Sequence, residues 1–256
     1  MFSFIADLLF PGVCLSCDRG LSAPGEEFIG VLPSGWPEAA PVFFRTDFFH
    51  AVLGPIKVPA RILCVDCWLS LVPAGAGFEL RRDPPIPVIS TFMTGPALLE
   101  AIRFLKFRGG RSAVEPLSWW MAFALKRHLD AAGVTGAPDP VLVPVPLFHS
   151  RLAERGYNQA ELLARGAARL LGLELSPRAL RRTRNTKPQS KLDGPMRAGN
   201  VRGAFAAERA AVEGRRVVVV DDLLTTGETM LACVAALRPC RPRSIEVLTV
   251  GRGLDR

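Results

Sequence analysis

The sequence contains no apolar run long enough to cross a membrane, so we do not predict a membrane-spanning helix. Residues 1–10 also lack the basic start and the small-residue cleavage site of a secretory signal peptide. We therefore expect a cytoplasmic protein without stable membrane insertion.

Acidic residues are scarce relative to basic ones: 24 Asp and Glu stand against 32 Lys and Arg, which gives a formal net charge of +8. This excess favours an anionic partner. A phosphorylated sugar and a nucleic acid both satisfy it, so the charge alone does not choose between them.

Cysteine is also infrequent, but four of the six cysteines form two Cys-x-x-Cys pairs, Cys14 with Cys17 and Cys64 with Cys67. Four thiolates so paired predict a tetrahedral structural zinc site, although the insert between the pairs is long. The alternatives are disulfides, which a reducing compartment disfavours, and thioredoxin-type redox pairs, which need a βαβ context. A closed Cys₄ site stabilises folding and leaves no open position for catalysis.

Beyond residue 86, apolar segments of strand length and helix length alternate, which predicts an α/β fold with a mostly parallel sheet flanked by helices. At 256 residues with 49% hydrophobic content, the chain can hold one such domain and a small appendage. The predicted strands are 87–92, 141–147, 216–222 and 244–250, and the predicted helices include 96–106, 112–132 and 228–237. Residues 149–159 are predicted to lead into a further helix that ends near Gly172.

Three regions follow from this pattern. Residues 1–72 form a zinc-ribbon-like domain that carries the four cysteines and the insert. Residues 73–87 are rich in Pro and Gly and are predicted to be a linker. Residues 88–256 form the main domain.

The most informative stretch is 216–229. Val217–Val220 are four consecutive valines, which predict a strand buried on both faces. Asp221 and Asp222 follow at its carboxyl end, where ligands bind in open α/β sheets. Adjacent side chains of a strand point to opposite faces, so both acids can face one ligand only if the strand ends there.

A short loop follows the acids and opens the next predicted helix. Backbone N–H groups at a helix start, three hydroxyls and a flexible glycine form a cradle for a phosphate group. The loop lacks the Gly-Lys-Ser/Thr of a P-loop, and the acids lack the Asp-x-Asp-x-Thr of a haloacid dehalogenase. The alternative is that a threonine merely caps the helix. The predicted phosphate-binding residues are Thr225, Thr226, Gly227, Glu228 and Thr229.

A second anion site is predicted at Arg151 and Arg155, which are four residues apart and would share one face of a helix start. Two guanidinium groups suit a pyrophosphate. The alternative is a solvated basic face.

Residues 216–229 closely resemble the phosphoribosyl pyrophosphate (PRPP) motif of type I phosphoribosyltransferases. Further motifs resemble the ComF family of competence-associated proteins. These motifs are Val-Pro-Val-Pro at 143–146, Arg-Leu-x-x-Arg-Gly-Tyr-Asn-Gln at 151–159, Thr-Lys-Pro-Gln at 186–189, Arg197, Asn200 and Gly-Ala-Phe at 203–205.

The resemblance implies a type I phosphoribosyltransferase fold preceded by a small zinc-ribbon-like domain. It assigns the catalytic carboxylates Asp221 and Asp222 to the ribose 2′- and 3′-hydroxyls and the loop 225–229 to the 5′-phosphate. It also implies Mg²⁺ bound with PRPP, beside the structural Zn²⁺. The basic segment 181–200 is similar in position to a flap that closes over PRPP in related phosphoribosyltransferases; the alternative is an ordinary disordered surface loop.

Two functions remain open at this stage. The first is transfer or sensing of phosphoribosyl groups from PRPP or a related phosphorylated ribose, with loss of pyrophosphate; no residue indicates a pocket for the acceptor. The alternative is a non-catalytic accessory protein of DNA uptake, in which the zinc ribbon and the basic surface bind single-stranded DNA. The sequence also leaves homo-oligomerisation open.

Overall fold

The computed structural model of the chain describes 14–18, 62–63, 66–67, 70–80, 84–107, 110–134, 140–184 and 203–253. The predicted zinc ligand Cys64 and most of the predicted flap lie outside these residues. No helix within the described ranges is long and apolar enough to span a membrane.

The core is a six-stranded sheet in the order β1-β2-β8-β7-β3-β4. Its strands are parallel except at one edge, where β1 pairs with β2 in antiparallel register. A separate antiparallel pair joins β5 to β6. The strands are β1 (Phe78–Leu80), β2 (Ile86–Met93), β3 (Val141–Pro144), β4 (Glu174–Leu175), β5 (Leu180–Arg182), β6 (Phe205–Ala207), β7 (Arg216–Leu224) and β8 (Ser244–Arg252).

Helices cover both faces of this sheet, which confirms the predicted α/β architecture. On one face, buried side chains of α1, α2 and α4 pack against the strands together with the N-terminal residues Cys14, Ile62 and Leu63. On the other face, α5 and the β5–β6 pair form a second apolar cluster. The helices are α1 (Pro96–Phe107), α2 (Val114–Ala131), α3 (His149–Arg155), α4 (Gln159–Leu171) and α5 (Glu228–Leu237).

Strand β7 is central because it pairs with β3 on one side and β8 on the other. Its four valines are fully buried and alternate between the two apolar clusters. Val218 and Val220 belong to the cluster under α1, α2 and α4, and Val217 and Val219 to the cluster under α5. This alternation is the physical reason for an unbroken apolar run: a strand covered on both faces has no solvated side.

The predicted linker contains a strand that the sequence did not indicate. Phe78–Leu80 form β1 and pair with Ile86, Pro87 and Val88 of β2. A strand of three residues between Gly and Pro is too short to show an alternating pattern, which explains why it was missed. The division into residues 1–72, 73–87 and 88–256 otherwise stays a prediction.

The segment 149–159, which is predicted to lead into one helix ending near Gly172, contains a separate short helix, so the structure has two helices here. Helix α3 ends where Gly156 adopts a left-handed conformation with φ of 78°, and its N–H donates to the carbonyl of Leu152 at 2.8 Å. Asn158 then takes an extended conformation and caps α4. A glycine at this position ends a helix because it has no Cβ to oppose a positive φ.

Candidate functional site

A cavity of about 430 Å³ lies at the carboxyl ends of β3 and β7. The structure brings most of the predicted site residues to this cavity. Those lining it are Arg151, Arg155, Asp221, Asp222, Thr225, Gly227 and Thr229. Among the described residues of the loop, Thr226 is exposed and Glu228 begins α5, and neither lines the cavity.

The two acids are arranged differently from the expectation that the strand ends at them. Strand β7 continues to Leu224, and the register of Asp221 with Thr249 of β8 is followed by that of Leu223 with Gly251. Side chains alternate along the strand, so the two carboxylates leave its opposite faces. Both nevertheless line the same cavity. The Asp221 carboxylate also bends toward its neighbour and accepts a hydrogen bond from the backbone N–H of Asp222 at 2.8 Å.

Asp222 forms an ion pair with Lys106, whose ammonium nitrogen lies 2.9 Å from the Oδ2 atom. Lys106 belongs to the last turn of α1 and lines the same cavity. No sequence pattern indicates Lys106, because it lies far from both motifs in the chain. The one relevant expectation is general: an acid buried at the end of a central strand requires a cation or a hydrogen-bond donor nearby.

Asp221 lies in an environment that favours its protonated form. Burial, and next the negative charge of Asp222, raise the pKa of Asp221 from 3.8 to about 7. The charges of Lys106 and Arg182 oppose this rise, as does the hydrogen bond from the Asp222 N–H. The cavity therefore contains one carboxyl, that of Asp221, whose pKa lies well above the ordinary value.

The loop after β7 turns at Gly227, which is the N-cap of α5 and has a φ of 77°. No hydrogen bond from a side chain caps this helix within the described residues, so the alternative of a capping Thr225 or Thr226 is wrong. The backbone turn itself opens α5, and the Leu231 N–H donates to the Gly227 carbonyl at 2.8 Å. A Cβ atom at Gly227 would lie 2.8 Å from Leu80 of β1, so this position excludes side chains for two reasons.

Arg151 and Arg155 both lie on α3 and face the cavity, as their spacing predicted. Arg155 donates a hydrogen bond to the side-chain oxygen of Gln159, and its guanidinium carbon lies 5.4 Å from the centre of the Phe107 ring. Burial lowers the pKa of Arg155, while the charge of Asp222 raises it. Arg155 is therefore a partly desolvated cation that Gln159 and Phe107 hold in place, and together with Arg151 it forms an arginine wall of the cavity.

Tyr157 and Asn158 join the arginine helix to the rest of the site. The Tyr157 hydroxyl donates to the main-chain carbonyl of Leu105, one residue before Lys106. The Asn158 side chain donates to the carbonyl of Val145 at 3.0 Å and accepts from the N–H of Ala160 at 3.1 Å. The Gly-Tyr-Asn-Gln motif thus fixes α3 against α1 and β3.

The predicted flap begins at Arg181, and its described part ends at residue 184. Within that part, Arg182 lines the cavity on the side of Asp221. Burial lowers the pKa of Arg182. Residues 185–200 of the predicted flap lie outside the described residues.

Three of the four predicted zinc ligands lie together: the sulfur atoms of Cys14, Cys17 and Cys67 are all within 4.8 Å of one another. Thiolates around one tetrahedral Zn²⁺ at about 2.3 Å are separated by comparable distances, so this donor set fits the metal. The cluster packs against the main domain because Cys14 belongs to the apolar core under α1 and α2.

Residues 158–255 match the phosphoribosyl transferase domain family. The competence protein F of Haemophilus influenzae is 35% identical over 113 residues, which cover 43% of this chain and 49% of the relative. The DNA utilization protein YhgH of Escherichia coli (strain K12) is 35% identical over 177 residues, or 66% of this chain and 75% of the relative. The chain belongs to the ComF family. Another relative of this ComF protein, the competence protein ComFC of Bacillus subtilis (strain 168), is 30% identical over 170 residues, covering 66% of this chain and 62% of the relative.

The domain match confirms the type I phosphoribosyltransferase fold predicted for the ComF chain. The sheet agrees with this assignment, because it is parallel apart from its β1 edge and is covered by helices on both faces. The N-terminal cysteine cluster is compatible with the predicted zinc ribbon.

Proposed function

We propose that this ComF protein binds PRPP, or a closely related phosphorylated ribose, in the cavity at the ends of β3 and β7. One observation carries the proposal. The two acids and the helix start that follows them, at 221–229, line a single cavity of about 430 Å³ together with an arginine pair from a distant part of the chain, Arg151 and Arg155. A ribose that carries phosphate groups at both ends needs these three kinds of group together.

Each part of the cavity suits one part of that ligand. Asp221 and Asp222 offer acceptors to the two ribose hydroxyls, which are donors. The turn at Gly227 presents backbone N–H groups at the start of α5, where the helix dipole favours a 5′-phosphate. Arg151 and Arg155 suit the pyrophosphate, because guanidinium groups bind phosphate oxygens in pairs.

The reaction that fits this arrangement is phosphoribosyl transfer. The bond between C1′ and the pyrophosphate oxygen breaks, and its electron pair leaves with the pyrophosphate. A nitrogen nucleophile of the acceptor forms the new bond to C1′. Arg151 and Arg155 stabilise the charge that grows on the leaving group. Mg²⁺, when bound, neutralises pyrophosphate charge and takes most of its ligands from PRPP and water, so no dedicated protein ligand is assigned to it.

Titration calorimetry with PRPP tests the proposal. We expect binding by the zinc-loaded protein to require Mg²⁺. The double variant R151A/R155A should lose most of this affinity, whereas R165A should keep it, because Arg165 forms an exposed ion pair with Glu161 on α4. Failure of the wild-type protein to bind PRPP, or equal affinity in all three proteins, would contradict the proposal.

The relatives' names and the net charge of +8 support a second function, binding of single-stranded DNA during DNA uptake. Salt dependence and one further variant, Asp222→Ala, distinguish it from PRPP binding. DNA binding should weaken steeply with salt, because it releases counterions, and it should survive Asp222→Ala.

A further inference from the structure

Lys106 forms an ion pair with Asp222, and both residues line the candidate cavity. The carboxylate side chain is only 4% exposed, and the lysine side chain is 24% exposed. The ion pair therefore sets the charge of a buried acid against a cation that also lines the cavity. An acid placed there without such a partner would be costly to ionise.

Lys106 also lies beside the arginine wall. The next residue, Phe107, is under the guanidinium group of Arg155, and the charge of Asp222 acts on Arg155 as well. Tyr157 fixes this neighbourhood, because its hydroxyl binds the carbonyl of Leu105. The end of α1 and the end of α3 thus hold two cations around one carboxylate.

Binding of a ribose at this carboxylate has a direct consequence for Lys106. The ribose hydroxyls would take the acceptor positions that the ammonium group now occupies. A displaced ammonium ion inside a cavity requires another anion. Its flexible four-carbon stem can move the charge to one, whereas a planar guanidinium is less adaptable.

We propose that Lys106 is a third pyrophosphate-binding residue, which exchanges Asp222 for the pyrophosphate group when PRPP binds. The inference rests on the proposed function. In the structure Lys106 pairs with Asp222; when PRPP binds, the sugar takes the acid and the pyrophosphate takes the lysine. The exchange is complete only for a ligand that has both groups.

This exchange makes the site selective. Ribose 5-phosphate brings hydroxyls for Asp222 but no pyrophosphate for Lys106, so its binding breaks an ion pair without replacing it. PRPP replaces both partners. Lys106 should therefore raise the affinity for PRPP and not the affinity for ribose 5-phosphate.

The experiment measures the affinity of the zinc-loaded protein for PRPP and for ribose 5-phosphate, both with Mg²⁺ at pH 8.5. The variants are Lys106→Ala, Lys106→Gln, which retains a neutral donor, and Lys106→Arg, which retains the charge. The matched control is Lys126→Ala, since Lys126 forms an exposed ion pair with Asp130 on α2. Thermal unfolding confirms that each variant is folded.

We expect Lys106→Gln and Lys106→Ala to weaken PRPP binding about 10- to 100-fold, the effect of losing a charged hydrogen bond. Ribose 5-phosphate affinity should change less than about threefold, and Lys106→Arg should retain more PRPP affinity than the neutral variants. Equal losses for both ligands would overturn the inference, because Lys106 would then act only through Asp222. An unchanged PRPP affinity would overturn it too. Failure of the wild-type protein to bind PRPP would remove the proposed function itself, which separates the two claims.

Discussion

The Tyr157 hydroxyl donates a hydrogen bond to the main-chain carbonyl of Leu105 and so connects two elements of the candidate site. Leu105 precedes Lys106 on α1, and Tyr157 follows the arginine helix α3. Tyr157 is buried, and the guanidinium carbon of Arg111 lies 5.2 Å from the centre of its ring. The bond fixes the distance between the lysine and the arginines of the cavity.

Tyr157→Phe should lower the free energy of unfolding by about 1–2 kcal/mol, because it leaves the Leu105 carbonyl without this donor. It should also weaken PRPP binding a few-fold, since α1 and α3 are then less well positioned. Urea unfolding and calorimetry measure the two effects. Unchanged stability together with unchanged affinity would show that the bond does not organise the site.

The arrangement of β7 follows almost directly from the sequence. Four consecutive valines predict burial on both faces, and the structure buries Val217–Val220 completely. The position of the two acids could not be predicted in the same way. Whether the strand ends at Asp222 or continues to Leu224 depends on the register with β8, which is a property of the tertiary structure.

Asp221→Asn should change how stability depends on pH. The folded pKa of Asp221 is about 7, above the ordinary value of 3.8, because burial and the charge of Asp222 favour the protonated form. Between these values the folded protein holds a proton that the unfolded chain has released, so this acid makes stability fall as the pH rises from about 4 to 7. Asparagine resembles the protonated acid at every pH.

We therefore expect Asp221→Asn to be more stable than the wild-type protein at pH 8, by at most about 4 kcal/mol, and more stable by only about 1.5 kcal/mol at pH 5, where the pH is closer to the unfolded pKa. Denaturant unfolding at the two pH values measures the difference. The control is Asp130→Asn, an exposed acid on α2, for which the difference should stay small at both. A stabilisation by Asp221→Asn that is the same at pH 5 and pH 8 would contradict the raised pKa.

Gly227→Ala should disrupt both the turn and the packing of β1. The residue has a φ of 77°, and an added Cβ would lie 2.8 Å from Leu80. Gly133→Ala is the matched control, because Gly133 has a φ of 65° but no atom within 4 Å of the added Cβ. We expect the control to lose about 1 kcal/mol of stability from backbone strain alone and Gly227→Ala to lose more. Equal losses would show that Leu80 adapts without cost.

Purified protein should contain one Zn²⁺ per chain, which elemental analysis measures. Cys14→Ser should lose this metal and destabilise the fold, because Cys14 belongs to both the cysteine cluster and the apolar core. Cys240→Ser should keep the metal, since Cys240 lies in the other apolar cluster, under α5. Absence of zinc from both the wild-type protein and the variants would contradict the predicted ribbon.

The position of Lys106 in the site could not be predicted from the sequence. The Asp-Asp and arginine motifs are visible because their residues are close together in the chain, and their spacing carries the chemical pattern. Lys106 stands in an ordinary amphipathic helix and meets Asp222 only after α1 packs on the sheet. The same reasoning explains the missed strand β1, which is defined by its pairing with β2 and has no pattern of its own.

The most direct measurement is the calorimetric titration of wild-type protein and Asp222→Ala with PRPP, each with and without Mg²⁺. Asp130→Ala, which removes an exposed acid on α2, is the control. The account predicts Mg²⁺-dependent binding by the wild-type protein and the control, and a loss of at least about 100-fold in Asp222→Ala, as expected for a buried charged contact. Equal PRPP affinity in Asp222→Ala and the wild-type protein would contradict the assignment of this cavity as a PRPP site.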